Sequence, residues 1–113
     1  MANKRLSRTQ GPRRALLRSL TTSFFLHERI ETTSTKAKEV SKIAERMITQ
    51  ARRGDLHSRR LVASYLLDPR VVKKLCEQIA PAYKDKTGGY TRITKSRIRP
   101  GDAAELSFLE LVK

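Results

Sequence analysis

Hydrophobic side chains recur at the spacing of an α-helix near the start of the chain. Leu16, Leu20 and Phe24 are four residues apart and therefore share one helix face, which predicts a helix over residues 13–28. The residues before this helix have no hydrophobic periodicity, and they end in Gly11-Pro12, a pair typical of a boundary between segments. We therefore expect an irregular arm, disordered in the free protein, before the first helix.

The clearest helical pattern lies in the middle of the chain. Apolar residues recur every three or four positions over residues 35–53. Ser34 is the expected N-cap, because a side-chain oxygen there can accept a hydrogen bond from the first turn. Gly54 is the expected stop, because glycine readily adopts the left-handed conformation that commonly follows a helix.

Two further helices are predicted after this one. Residues 56–67 have the apolar spacing of a shorter helix. Asp68-Pro69 then combines a capping side chain with a proline suited to a first helical position, so another helix is expected to begin there. We expect that helix to end before Pro81, because proline lacks the backbone N–H of a helix interior.

Three segments have the β-branched and aromatic composition of strands. They are residues 29–33, 90–98 and 104–112. The turn residues of 99–102 join the last two strands into a hairpin. The prediction is an α+β fold in which about four helices pack on one side of a small three-stranded sheet. Its predicted parts are a basic N-terminal arm over residues 1–12 and a single domain over residues 13–113.

The charge balance narrows the function. The chain has 25 Lys and Arg against 11 Asp and Glu, a net charge of +14. Residues 1–18 carry six basic residues and no acid, and residues 84–100 carry six basic residues and one acid, so these two stretches hold most of the excess. A polyanion that releases counterions on binding relieves such repulsion, which favours nucleic acid over an anionic membrane surface.

The basic residues are candidate phosphate contacts. Arginine suits folded RNA, because its guanidinium grips phosphate bidentately and stacks on bases. In the last third of the chain, strand geometry places Lys95, Arg97 and Arg99 on one face and Arg92 on the other. Tyr90 is either a stacking platform for a base or a half-buried strand aromatic.

The segment from residue 53 to residue 60 supports two compatible interpretations. Asp55 is expected to cap the helix that follows it. His57, Arg59 and Arg60 are candidates for phosphate contacts beside that cap.

No catalytic chemistry is evident. His27 and His57 are the only near-neutral bases, and neither is spaced from a nucleophile or a second metal ligand in a known arrangement. Cys76 is the single cysteine, expected to be a small buried hydrophobe in a reducing compartment. No phosphate-cradling glycine motif occurs, and no apolar run approaches the ~20 residues of a membrane span. We expect no cofactor, no metal, no enzyme activity and no small-molecule substrate. The basic start is interpreted as part of the mature protein.

Several motifs occur together in a known order. Among them are Arg13-Arg14-Ala15-Leu16-Leu17-Arg18, Lys36-Ala37-Lys38-Glu39, Gly54-Asp55-Leu56-His57-Ser58-Arg59-Arg60 and Gly88-Gly89-Tyr90-Thr91-Arg92-Ile93. From about Lys4 to Val112 the chain resembles the L-seventeen family of bacterial large-subunit ribosomal proteins. The start Met1-Ala2-Asn3 and Pro12 depart from the family's usual pattern.

The resemblance implies an α+β fold, a cytoplasmic ribosomal location, binding to large-subunit ribosomal RNA, a place near the peptide tunnel exit, and neighbouring large-subunit ribosomal proteins as partners. A homo-oligomer is not expected. The predicted RNA-binding residues are Lys4, Arg5, Arg8, Arg13, Arg14, Arg18, Lys36, Lys38, His57, Arg59, Arg60, Lys84, Lys86, Tyr90, Arg92, Lys95, Arg97 and Arg99.

Two other functions remain open at this point. A free-standing nucleic-acid binder would be expected to have a recognition helix, usually in a symmetric dimer, and no helix here concentrates base-reading side chains. A small RNA-processing enzyme would need His27 or His57 for turnover.

Overall fold

The computed structural model describes residues 10–112, with side chains from residue 11 to residue 112. Its elements follow the order α1 (Gln10–His27), β1 (Arg29–Thr33), α2 (Ser34–Arg52), α3 (Leu56–Tyr65), α4 (Pro69–Lys74), a π-helical turn (Leu75–Ile79), α5 (Ala80–Ala82), β2 (Thr91–Ile98) and β3 (Glu105–Leu111). The predicted α+β class, with helices on a three-stranded sheet, is confirmed.

The three strands form an antiparallel sheet in the order β1-β3-β2. Leu109 on the central strand pairs with Ile30 on one side and Ile93 on the other. Leu109 is fully buried in the main core, so this face of the sheet carries the helices. The opposite, outer face carries Arg29, Glu110 and Arg92 in one row across the three strands.

Helix α2 connects the sheet to the other helices. Its buried face, which includes Val40, Ala44 and Ile48, lies in the centre of the core, as its apolar spacing predicts. Phe24 and Phe25 of α1 are also fully buried, with ring centroids 5.4 Å apart. Burying two phenylalanines and a helix face in one cluster fixes the positions of α1, α2 and the sheet relative to one another.

The start of α2 differs from the prediction. Ser34 is the first residue of the helix, Thr33 occupies the N-cap position, and no side chain caps the first turn. The Ser34 hydroxyl instead lies 2.6 Å from the Ser107 hydroxyl on β3. The prediction of Ser34 as N-cap is wrong because this hydroxyl binds across to the sheet, where β1 leads directly into α2.

Both predicted proline boundaries differ as well. Helix α1 starts at Gln10 and includes Pro12 in its first turn, where a missing N–H costs no hydrogen bond. The chain also remains helical through Pro81. The Ala80 N–H donates to the carbonyl of Leu75, five residues back, so the π-helical turn resets the helix and Pro81 lies in the first turn of α5.

The other predicted helix starts and stops agree with the structure. Gly54 has φ 72° and follows the end of α2, as expected of a terminating glycine. Asp55 accepts a hydrogen bond from the Ser58 N–H at 2.7 Å, and Asp68 accepts one from the Arg70 N–H at 2.9 Å. These caps fix where α3 and α4 begin, and with them the basic side chains of the first turn of α3.

Candidate nucleic-acid interface

The basic side chains of α1 lie beside α2 and α3. Arg18 is held in place, because its Nε donates to the Tyr65 carbonyl at 2.8 Å and its Nη2 to the Ser64 carbonyl at 3.3 Å. Arg13 is half-buried and Arg14 is exposed. The three arginines share the wall of one surface cavity of about 470 Å³. The structure therefore brings together the first-helix arginines that the sequence predicted as RNA-binding.

Helix α2 carries a line of cations on its solvent face. Lys38, Lys42 and Arg46 are exposed and follow one another at intervals of four residues. Arg53 is exposed just after the helix end. Sequence reasoning singled out Lys38 and the half-buried Lys36 but missed Lys42 and Arg46. Their signal was present, because they occupy the polar positions of the most clearly amphipathic helix.

The first turn of α3 presents His57 and Arg60 to solvent. The hydrogen bonds that Asp55 accepts from the Ser58 side chain and backbone N–H hold the pKa of the Asp55 carboxyl below its usual range. Arg59 is also exposed but forms an ion pair with Glu77, 3.2 Å away. The carboxylate of Glu77 therefore partly offsets the positive charge of Arg59. Arg60, in contrast, has no carboxylate within 4.0 Å among the described residues.

A single arginine holds the loop between α5 and β2. Arg52 donates to the carbonyls of Lys84 and Lys86 and to the hydroxyl of Tyr90, with 2.8 Å between its Nη2 and the Lys84 oxygen. Because the backbone of this loop is tied to α2, the exposed side chains of Lys84 and Lys86 project from a fixed position.

Tyr90 is not a stacking platform. Its side chain is fully buried, and its ring lies 5.2 Å from that of Tyr83. The prediction that a base could stack on Tyr90 is wrong, because the ring is part of the core and its hydroxyl binds Arg52 and the Lys86 carbonyl. Even the alternative of a half-buried aromatic underestimates its burial.

The hairpin arginines do not alternate as the sequence suggested. The pairing of β2 with β3 shifts register between Lys95 and Ile98. Such an irregularity interrupts the period of two. Arg92 pairs with Glu110 on the outer face, and Arg97 binds Glu31 on the same face at 3.4 Å. The prediction that Arg97 and Arg92 lie on different faces of the sheet is therefore wrong.

Most guanidinium groups of the hairpin are paired with carboxylates. Glu110 lies 3.0 Å from Arg92 and 3.8 Å from Arg29, whose guanidinium also covers the Phe108 ring at 3.9 Å. Arg99 forms a two-point contact with Asp102 across the turn. Lys95 is exposed, with no acidic partner within 4.0 Å in the part of the chain that the structure describes.

The pair formed by Arg99 and Asp102 has a direct spectroscopic consequence. The hydrogen bond from Arg99, the N–H of Ala104 and the nearby positive charge lower the pKa of the Asp102 carboxyl to about 2. A depressed pKa means that the pair stabilises the turn above the ordinary pKa of Asp and loses that contribution as pH falls toward 2. We expect a carbon-13 NMR titration to give a midpoint near this value, and Arg99→Gln to move it back up. A midpoint that Arg99→Gln does not change would show that Arg99 is free in solution.

The described basic residues thus form two classes. The arginines with carboxylate partners are mostly on the hairpin and the outer face of the sheet. The predicted Lys and Arg residues without a carboxylate within 4.0 Å over residues 11–112, together with the newly found Arg46 and Arg53, are Arg14, Arg18, Lys36, Lys38, Arg46, Arg53, Arg60, Lys84, Lys86 and Lys95. Most belong to α1, α2, α3 or the loop tied to α2, so the uncompensated positive charge lies chiefly on the helical side. The predicted arm residues Lys4, Arg5 and Arg8 lie outside the described residues.

Comparison with known proteins shows the family of the chain that carries this basic surface. The family model for ribosomal protein L17 matches residues 16–112. The chain belongs to the ribosomal protein L17 family. The resemblance inferred from the motifs is therefore confirmed, and the match includes α2, α3 and the whole sheet but begins just after Arg13 and Arg14.

Individual members of the family are similar over nearly the whole chain. The large ribosomal subunit protein bL17 of Geobacter sulfurreducens is 57% identical over 112 residues, which are 99% of this chain and 64% of the relative. The protein of the same name from Caldanaerobacter subterraneus subsp. tengcongensis is 55% identical over 112 residues, which are 99% of this chain and 100% of the relative. The chain spans less than two thirds of the Geobacter relative and the full length of the other.

Residues 10–112 offer few features of other kinds of site. No group of three or more His, Cys, Asp or Glu side chains in the described part could hold a metal ion. None of the helices from residue 10 onward is long and apolar enough to cross a membrane. Cys76 is half-buried against the core, and burial raises the pKa of its thiol, which disfavours the reactive thiolate.

Proposed function

We propose that this chain is a structural constituent of the large ribosomal subunit that binds large-subunit ribosomal RNA and has no enzymatic activity. The observation that carries the proposal is the set of exposed cations without carboxylate partners on α1, α2 and α3, in a chain of the L17 family. Their charge remains available to phosphates, whereas that of a paired arginine has first to be released from its carboxylate.

The arrangement suits contact with RNA backbone more than with bases. Fixed cations on helices and on a tied loop match an array of phosphates by shape and charge, as proteins often do with folded RNA. The arginines of α1, continuous with the basic arm, would enter between RNA segments. The cations of α2, α3 and the loop of Lys84 and Lys86 would form the second part of the same surface.

We also propose a place for the chain in the subunit, which the resemblance to the family supports. The chain would lie near the exit of the peptide tunnel and contact neighbouring large-subunit ribosomal proteins, in the cytoplasm and as one copy rather than a homo-oligomer. The nearly neutral outer face of the sheet, where Glu110 and Glu31 offset Arg29, Arg92 and Arg97, is better suited to a protein neighbour than to RNA.

Sedimentation tests the proposal. A tagged chain expressed in bacteria is followed through a sucrose gradient of the lysate, before and after a high-salt wash. We expect it to remain with the large subunit at close to one copy per particle after the wash. Recovery in the light fractions, or spread over nucleic acid of every size, would show a loose polyanion binder and contradict the proposal.

A further inference from the structure

Two surface cavities meet between α1, α2 and α3 and form one groove. The first, of about 470 Å³, is lined by Arg13, Arg14 and Arg18, among others. The second, of about 300 Å³, lies between α2 and α3. Ile43 and Tyr65 line both, so the cavities adjoin along these two half-buried side chains. We call this combined depression the α1–α3 groove.

The two ends of the α1–α3 groove differ in chemistry. The α1 end has three guanidinium groups. The other end is mainly apolar, with Met47, Val62 and Leu61 in its wall and Arg46 at its edge. Leu61 is 46% exposed, so about half of its side chain is available to an occupant of the groove. No acidic residue lines either cavity.

This combination selects among occupants. A duplex offers phosphates on its surface but keeps its bases stacked, so it would leave the apolar end in water. An unpaired nucleotide offers a phosphate for the guanidinium end and a flat apolar base for the other end. A neighbouring protein could cover Leu61, but four arginines without an acidic residue favour a polyanion. Each cavity is also within or close to the ~300–1,000 Å³ typical of small-molecule sites.

We propose that the α1–α3 groove holds an unpaired nucleotide of the RNA, with its base against Ile43, Leu61 and Tyr65 and its phosphate on the arginines of α1. The inference rests on the proposed function, because it names the form of RNA that this surface takes. Arg18 prepares the site, since its bonds to the carbonyls of Ser64 and Tyr65 fix α1 against the end of α3 before any ligand arrives.

A pair of leucine variants tests the groove without altering charge. Leu61→Ser removes apolar surface from the groove, and Leu56→Ser removes the same side chain from an exposed position on α3 outside it. The full chain is titrated with a short unstructured RNA of mixed sequence and with a duplex RNA of the same strand length. We expect Leu61→Ser to weaken binding of the unpaired RNA about fivefold, because burying the exposed half of a leucine side chain contributes about that much. Leu56→Ser should leave it unchanged, and neither variant should affect the duplex.

The outcomes separate this inference from the proposed function. If Leu61→Ser leaves affinity for the unpaired RNA unchanged while Arg14→Gln lowers it, RNA binding stands and the nucleotide site is wrong. If joint replacement of Arg14, Arg46 and Arg60 by glutamine also has no effect, the cationic surface itself is wrong. In assembled large subunits, Leu61→p-benzoylphenylalanine should crosslink to RNA on illumination. A crosslink to a neighbouring protein would overturn the nucleotide site.

Discussion

Replacing Arg14, Arg46 and Arg60 together by glutamine is expected to weaken binding to large-subunit ribosomal RNA about a hundredfold at 0.1 M salt. These three arginines are exposed and have no carboxylate within 4.0 Å among the described residues. Each phosphate contact contributes a slope of about 0.7 in the dependence of log K on log salt concentration. A variant that loses three contacts therefore gains about two powers of ten less affinity than the parent chain when the salt concentration falls tenfold, from about 1 M to about 0.1 M. Filter binding or fluorescence anisotropy over a salt series measures both quantities.

The matched control removes three charges from elsewhere on the same chain. Arg59, Arg92 and Arg97 are also largely exposed, but they pair with Glu77, Glu110 and Glu31. Their replacement by glutamine changes the net charge by the same amount, so a general loss of positive charge would weaken binding equally in both triple variants. We expect the control to lose less than tenfold and to keep most of the salt slope. Equal losses would show that pairing does not decide which arginines bind.

The second large effect is expected at Arg52. Arg52→Met keeps an unbranched stem but removes the donors to the carbonyls of Lys84 and Lys86 and to the Tyr90 hydroxyl. Hydrogen bonds from a charged donor contribute about 1.5–3 kcal/mol, so we expect the free energy of unfolding to fall by about 2 kcal/mol. For a domain of this size this lowers the Tm by about 8 °C. Thermal denaturation followed by circular dichroism measures the change.

Arg53→Met is the natural control for Arg52→Met. Arg53 is the next residue, is exposed, and has no carboxylate within 4.0 Å among the described residues. Its replacement should change the free energy of unfolding by no more than about 0.5 kcal/mol. Amide hydrogen exchange should also increase over residues 84–89 in Arg52→Met and stay unchanged in Arg53→Met. If Arg52→Met has the same Tm as the parent chain, the loop is held by other contacts.

The elements of the fold could be predicted from sequence because each is local. Helix α2 has one unbroken apolar face, and Asp55 and Asp68 cap the helices that follow them as their position suggests. The predictions are wrong where a residue far along the chain determines the contacts of a side chain. Ser34 does not cap α2 because Ser107, far along the chain, takes its hydroxyl, and no local rule contains that contact.

The sequence shows which residues of the binding surface are positively charged, but it does not show which of them are free of carboxylate partners. The sequence identified Arg92, Arg97 and Arg59 as cations, but their pairing with acids on other strands and helices appears only in the fold. Conversely, Arg46 looked like an ordinary polar position of α2 until the structure placed it beside α3. Tyr90 shows the same limit, since a strand-edge aromatic can be exposed or fully buried and only packing decides.

The most direct test of the account is the position of protein–RNA crosslinks in intact large subunits. Subunits that contain this chain are irradiated with ultraviolet light, digested with protease and nuclease, and the crosslinked peptides are identified by mass spectrometry. We expect the crosslinks to lie in peptides of α1, α2, α3 and the loop of Lys84 and Lys86. Crosslinks confined to the hairpin of β2 and β3, with none on the helical side, would contradict it.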